Sequence, residues 1–403
     1  MTTRVLQMDL AEQPCDVSGL GAYSGARVLL RYTGRTLGQV HVAVQDGTVR
    51  AAAVAAAVNE DGALRTRLPQ LIVEEHLLRA DPPGKLPSWT VIVCTRDRPE
   101  MVRRCIESLV PECDGSGEIV IVDNGPTTDA TARIAEQYAV RYIREPMAGL
   151  NRARAAGARA ARGDIVIYTD DDTIADPGWV RALVSEFAGA RVGAVTGLTF
   201  PLELETEAQE LFEVYGGFGK GFERRVFDVT SISPTGAGAV GSGVCMAFRR
   251  ELVVAKGLFD VELDLGTAPV TGGDTYALYR VLADGYRVVY TPDAVNWHQH
   301  RREHDELHRT MAGYGTGLYA FLTKALVEDK ELPALKVGLT WFRRHHLREL
   351  ARALVRRPNH LSLGMVMAEI KGTLVAPLAY ARSARVERAR ATETVRVSRK
   401  GAA

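Results

Sequence analysis

The stretch from Trp89 to Asp170 constrains the fold most. Four apolar runs, WTVIVCT, EIVIVDN, VRYIRE and DIVIYTD, are separated by the helix-patterned segments PEMVRRCIESLV, TDATARIAEQYA and GLNRARAAGARAA. Short, near-continuous apolar runs are strands buried on both faces, and strands alternating with helices build a parallel sheet covered by helices. The expected class is therefore α/β. Ligands of open α/β sheets sit beyond the carboxyl ends of the strands, so the residues just after each run are the ones to interrogate.

Asp170, Asp171 and Asp172 follow directly on IVIYT. Two like charges about 4 Å apart repel by roughly 4 kcal/mol at an effective dielectric of 20, and a cation relieves that repulsion. Hard oxygen ligands suit Mg²⁺ or Mn²⁺ bridging protein carboxylates to substrate phosphates. The plainer alternative is a solvated acidic loop ahead of the helix near Pro177. Asp123 and Asn124 end the second run, where a carboxylate accepts from a base N–H or a ribose hydroxyl, or the pair forms an Asx-turn beside Gly125. Arg152 and Arg154 open a helix at the same edge, as solvated side chains or as guanidinium ligands of a diphosphate.

Asp274 precedes the periodic run TYALYRVL. It reads as an N-cap or as a general base within the glycine-rich GTAPVTGGD, and the two roles are compatible. His298 and His300, in AVNWHQH, share a face if extended; one neutral imidazole could complete a metal site, or both are ordinary histidines. GAGAVG at 236–241 has the letters of a dinucleotide fingerprint but follows no apolar strand, so it reads as a loop near the acceptor.

Four regions are expected. Residues 1–80 read as a small β-rich domain, with RVLLRY and LGQVHVAV paired through TGR, Val40, Val42 and Val44 on one face, and an alanine-rich helix near 51–58. The proline-rich 81–88 is a linker, since Pro82, Pro83 and Pro87 suit neither helix nor central strand. Residues 89–302 form the catalytic unit, and 303–403 are helical and basic, with fourteen Lys and Arg against four acids over 341–403. Those helices pack on the catalytic unit or meet anionic lipid peripherally. The 403-residue chain has a net charge of +1, which argues against a nucleic-acid partner. Five cysteines without a CxxC pair point to a reducing cytoplasm. Neither a secretory leader nor an uncharged apolar run of 18 residues is evident.

In order, these pieces resemble the inverting family 2 glycosyltransferases of GT-A fold over about residues 88–300. Thr95 and Arg98 match that family's opening Pro-Thr-Tyr-Asn-Arg, Asp123 to Gly125 its Asp-x-Gly, and Gly149, Ala153, Arg154 and Gly157 its G-l-s-x-A-R-N-x-G, while Arg152 does not match. Asp170–Asp172 correspond to its DxD and Asp274 to the catalytic Asp of its Glu-Asp pair, whose Glu is here Gly273. Arg280, Gly285, Pro292 and His298 follow at the family's spacing. The resemblance implies Asp274 as general base; Thr95, Arg98, Asp123, Arg154, Asp170 and Asp171 as donor contacts; and Asp170, Asp172 and His298 as metal ligands. The expected protein is a cytoplasmic, Mn²⁺- or Mg²⁺-dependent transferase moving a sugar from a nucleotide-diphospho-sugar, UDP-linked, to an unidentified hydroxyl. A sugar-phosphate nucleotidyltransferase would carry a glycine-rich loop where CTRDRPE stands. A silent sugar-nucleotide- or glycan-binding protein is the other rival.

Overall fold

The computed structural model describes residues 2–77, 86–113, 115–215, 217–263, 267–355 and 360–401, with backbone only for 391 and 393–401. Residues 81–85 of the expected linker, Gly266 of the glycine-rich stretch, and Arg356 and Arg357 of the basic run lie outside the described residues.

The amino-terminal unit is a three-stranded sheet, β1 (Thr3–Asp9), β2 (Gly25–Tyr32) and β3 (Arg35–Ala43), followed by α1 (Ala51–Glu60) and α2 (Gly62–His76). β2 and β3 form the expected antiparallel hairpin, closed by Thr33 and Gly34 at φ 50° and 81°, the positive values that a two-residue turn matching strand twist requires. β1 joins β2 in parallel, a strand that its mixed TRVLQMD pattern does not announce. Successive strand residues face opposite ways. Val28, Leu30, Val40 and Val42 therefore pack on Val54, Val58, Leu64 and Leu71, while Arg27, Leu29 and Arg31 face the rest of the protein. Leu29 meets Leu198, Phe200 and Val295, and Arg31 pairs with Asp176 at 2.7 Å.

The large sheet contains β4 (Trp89–Thr95), β5 (Gly117–Asn124), β6 (Arg141–Glu145), β7 (Ile165–Asp170), β8 (Thr173–Ala175), β9 (Val192–Pro201), β10 (Arg225–Phe227), β11 (Met246–Arg249) and β12 (Arg287–His298). Its order is β10-β12-β9-β11-β7-β4-β5-β6, with β8 paired to β12 off that path. β7, β4, β5 and β6 are parallel, as expected, and their crossover helices are α3 (Pro99–Leu109), α4 (Ala130–Ala135) and α5 (Leu150–Ala160). β11 runs antiparallel between β7 and β9. Short α6 (Trp179–Val184) precedes β9. Two cores lie on the sheet's faces, one around Val91, Val93, Ile106 and Trp179, the other around Ile92, Tyr168, Phe248 and Phe259.

The remaining helices are α7 (Glu207–Tyr215), α8 (Arg250–Lys256), α9 (Gly273–Ala283), α10 (His304–Val327), α11 (Pro333–Trp341), α12 (Leu347–Leu354) and α13 (Leu363–Gly401), with a π turn at Phe342–His346. α10 and α13 approach closely: a methyl on Gly315 would lie 2.2 Å from the Glu369 carbonyl oxygen, and one on Gly372 2.3 Å from that of Ala312. Residues Leu363–Arg390 of α13 suffice, by length and composition alone, to cross a membrane. In this fold they lie along α10 and bury the polar Glu369, Ser383 and Glu387.

Candidate functional site

The acidic triplet stands where β7 ends. The chain turns there into β8, whose pairing with β12 sets Thr173 opposite His298 and so carries an imidazole to the aspartates. One donor atom from each of Asp170, Asp172 and His298 falls within 4.8 Å of the others. Asp172 Oδ1 is buried with no hydrogen-bond partner and lies 3.3 Å from His298 Nε2. Arg98 and Arg301 approach its other oxygen at 3.6 and 3.7 Å. Burial and the adjacent Asp172 charge push the Asp170 carboxyl up to about 6, against the opposing pull of Arg154.

Asp171 points elsewhere. Its Oδ2 accepts from the Thr95 hydroxyl at 2.7 Å and its Oδ1 from Arg98 Nη1 at 3.2 Å. Thr95 and Arg98, two residues expected on the donor, are thus engaged with a carboxylate of the triplet, and the Thr95–Asp171 bond ties the end of β4 to the turn after β7.

Asp123, at the end of β5, is fully buried. Oδ2 accepts from Tyr142 at 2.9 Å, while Oδ1 has no partner. Burial pushes its carboxyl above the usual range. Asn124 accepts from the Gly149 N–H at 2.8 Å and so fixes the entry to α5, rather than closing a turn beside Gly125.

From α5, Arg154 reaches Asp170 Oδ1 at 3.8 Å. Gly243 separates it from Asp274: a methyl there would sit 2.9 Å from both Arg154 Nη2 and Asp274 Oδ2, and the Gly243 N–H donates to that oxygen at 2.7 Å. The structure therefore lines up Asp172, Asp170, Arg154 and Asp274 along one edge. Asp274 is not the N-cap. Gly272 takes that place at φ 108°, leaving the Asp274 carboxylate in the first turn, where the helix dipole favours an anion. Gly273 has a steric cause as well, since a Cβ would lie 2.0 Å from Asn151 Nδ2. Asn151, whose side chain donates to the carbonyls of Asp260 and Leu263, fills the room a glutamate would need.

Arg152 is corrected by the structure: it pairs with Glu387 on α13, away from the triplet. GAGAVG lies on a 3₁₀ turn, Pro234–Ala239, packed on α9.

His300 is the residue that sequence reasoning undervalued. Its Nε2 meets Glu213 Oε1 at 2.7 Å and its Nδ1 meets His298 Nδ1 at 2.8 Å. Burial holds His300 below the ordinary histidine range, so a neutral ring donates from Nε2 to Glu213 and accepts at Nδ1. His298 then donates from Nδ1 and turns its Nε2 on Asp172 Oδ1. That nitrogen and the unpartnered Asp172 oxygen, 3.3 Å apart in a buried site, stand where both could ligate a cation. Glu213 is in turn paired with Arg27 of β2. The spacing of His298 and His300 was the available signal; Glu213 and Arg27 had none.

The family description Glycosyl transferase family 2 matches residues 90–254. An N-acetylglucosaminyltransferase of Mesorhizobium japonicum is 26% identical over 228 residues, covering 53% of this chain and 52% of that one. A glucosyl-dolichyl phosphate glucuronosyltransferase of Haloferax volcanii is 25% identical over 219 residues, 51% of this chain and 67% of that one. The chain thus spans about half the length of the rhizobial relative. Among solved structures, the mannosyltransferase PcManGT of Pyrobaculum calidifontis, in complex with GDP-Man and Mn²⁺, superposes with a TM-score of 0.51 at 20% identity, over 77% of this chain and 93% of that one. The sheet order, this superposition and the match to the Glycosyl transferase family 2 description over the β4–β11 core agree on a GT-A-type α/β fold.

Proposed function

We propose that the protein is an inverting, metal-dependent glycosyltransferase that moves a sugar from a UDP-linked donor to an acceptor hydroxyl. The observation that carries this reading is the convergence of Asp170, Asp172 and a correctly tautomerised His298 beside Arg154 and Asp274. One imidazole and two carboxylates suit Mn²⁺ or Mg²⁺, and the unpaired Asp172 oxygen fits such an ion. When bound, the ion supplies charge neutralisation for the departing diphosphate.

The chain's own residues do the rest. Asp123, with one free buried oxygen, accepts the N–H of the nucleobase while Tyr142 holds the other oxygen. Arg154 faces the diphosphate. Asp274 takes the proton of the acceptor hydroxyl as its oxygen bonds to the anomeric carbon and the carbon–phosphate oxygen bond breaks, and one in-line displacement inverts that centre. Thr95, Arg98 and Asp171 brace the donor pocket as a hydrogen-bonded set. Residues 1–80 serve as an accessory domain, 81–88 as a linker, 89–302 as the catalytic unit and 303–403 as a helical support. That support leaves Leu335, Leu339, Leu374 and Leu378 exposed among basic residues, which favours a cytoplasmic protein resting on the inner face of a membrane.

The test mixes the protein with Mn²⁺, a panel of nucleotide sugars and acceptor extracts, and follows nucleoside diphosphate release and the anomeric configuration of the product. Metal-dependent UDP release with inversion is expected. Retention of configuration, pyrophosphate exchange with sugar phosphates, or donor binding without turnover would each overturn the reading.

A further inference from the structure

We propose that His345, His346 and Glu369 form a second metal site, selective for a divalent transition ion of the Zn²⁺ class, outside the donor pocket. One donor atom from each lies within 4.8 Å of the other two. His345 Nε2 stands 3.4 Å from Glu369 Oε1 and His346 Nδ1 3.6 Å from Glu369 Oε2, close to the edge of about 3.3 Å expected between ligands of a tetrahedral ion with bonds near 2.0–2.1 Å.

The protonation pattern points to a cation rather than to an ordinary polar cluster. His346 Nδ1 and Glu369 Oε2 are buried and have no hydrogen-bond partner, in side chains 0% and 4% exposed. His346 Nε2 meets the buried Thr373 hydroxyl at 3.0 Å. With that nitrogen donating, Nδ1 turns a bare lone pair on the carboxylate. The Tyr215 hydroxyl lies 2.8 Å from His345 Nε2, a contact that an ion bound to this nitrogen would replace. Two imidazole nitrogens and a carboxylate thus converge, the donor set that suits zinc better than a hard ion. The Thr373 hydroxyl on the far nitrogen of His346 would serve as the outer support that fixes a metal-bound ring.

The backbone is adapted to this convergence. His345 and His346 end the π turn, which narrows the angle between successive side chains below the 100° of an α-helix and so lets neighbours point the same way. Gly315 admits Glu369 by letting α13 touch α10. A pocket lined by Val214, Tyr215, Arg348, Glu349, Arg352 and Leu361 opens beside Tyr215, whose hydroxyl meets His345. The ion would clamp α13 and the π turn beside α7, whose Glu213 backs the donor-site histidines.

The full chain carrying Asp172→Ala, which blanks the first site, is stripped with chelator and titrated with Zn²⁺ against a chromophoric competitor. One tight equivalent is expected. It should be lost when Glu369→Gln or His345→Gln is added, and weakened about 10- to 100-fold by Thr373→Val. Should Glu369→Gln fail to fold, His345→Gln decides, because that ring sits at the rim, stacked on Trp341. X-ray absorption at the zinc edge of the Asp172→Ala protein, loaded with one equivalent, should show two imidazoles. An Asp172→Ala protein that takes up no zinc, an equivalent that survives His345→Gln, or a zinc shell with fewer than two imidazoles overturns the proposal.

Discussion

Arg27 of the amino-terminal sheet and Glu213 of α7 are joined at 2.6 Å with each side chain only 12% exposed, and Glu213 in turn holds His300 behind His298. The amino-terminal unit therefore reaches the His298 imidazole through Glu213 and His300. Arg27→Met should cost about 3 kcal/mol, because a nearly buried carboxylate loses its cation. Urea unfolding measures that loss, and Mn²⁺ titration should give an affinity 10- to 100-fold weaker if the outer support orients the ring. Unchanged Mn²⁺ affinity would reduce the link to a structural one.

Asp274→Asn preserves size and keeps an acceptor for the Gly243 N–H. Donor affinity by calorimetry should hold while transfer falls by about 10²- to 10⁴-fold, the usual contribution of a placed base. Equal losses in binding and turnover would remove Asp274 from that role.

Gly243→Ala adds one methyl 2.9 Å from both Arg154 Nη2 and Asp274 Oδ2. Those groups must separate, and a displacement of this order near reacting atoms costs about 10²-fold in rate. Steady-state kinetics should show the loss in kcat with little change in the unfolding midpoint.

Asp123→Asn tests the base contact and a pH effect together. The folded-state pKa of Asp123 is raised by burial, so the folded protein binds this proton more tightly than the unfolded chain does. Ionisation therefore penalises the fold above the raised value, and protonation removes the penalty as pH falls. The variant should be more stable than wild type at pH 8, lose that advantage toward pH 4, and bind donor more weakly throughout. Denaturation at several pH values, with donor titration at pH 8, checks both.

The parallel half of the sheet was legible because β4, β5 and β7 are uninterrupted apolar runs buried on both faces. β1 was not, since its polar residues alternate too loosely to mark a strand. The triplet and His298 could be found because strand-end carboxylates and a histidine at a later strand end are unusual in type. The Glu213–His300 contact could not, since an acidic residue on a surface-patterned helix looks like any solvated one until α7 is docked. Gly273 was legible only as a departure from a family pattern; its physical cause, the Asn151 side chain in the same space, exists only in three dimensions. The pair His345 and His346 gave no signal at all, because a π turn cannot be read from α-helical periodicity.

The three-residue ribbon between β8 and β12 has a consequence for biosynthesis. A ribosome that has released the chain only through β7 has made the aspartates without their imidazole partner, so an emerging polypeptide holds acidic side chains but no finished grip. On the proposed reading of this cluster as a metal site, capture of an ion waits until β12 zips against β8 and β9, a seal on a completed sheet rather than a seed for its assembly.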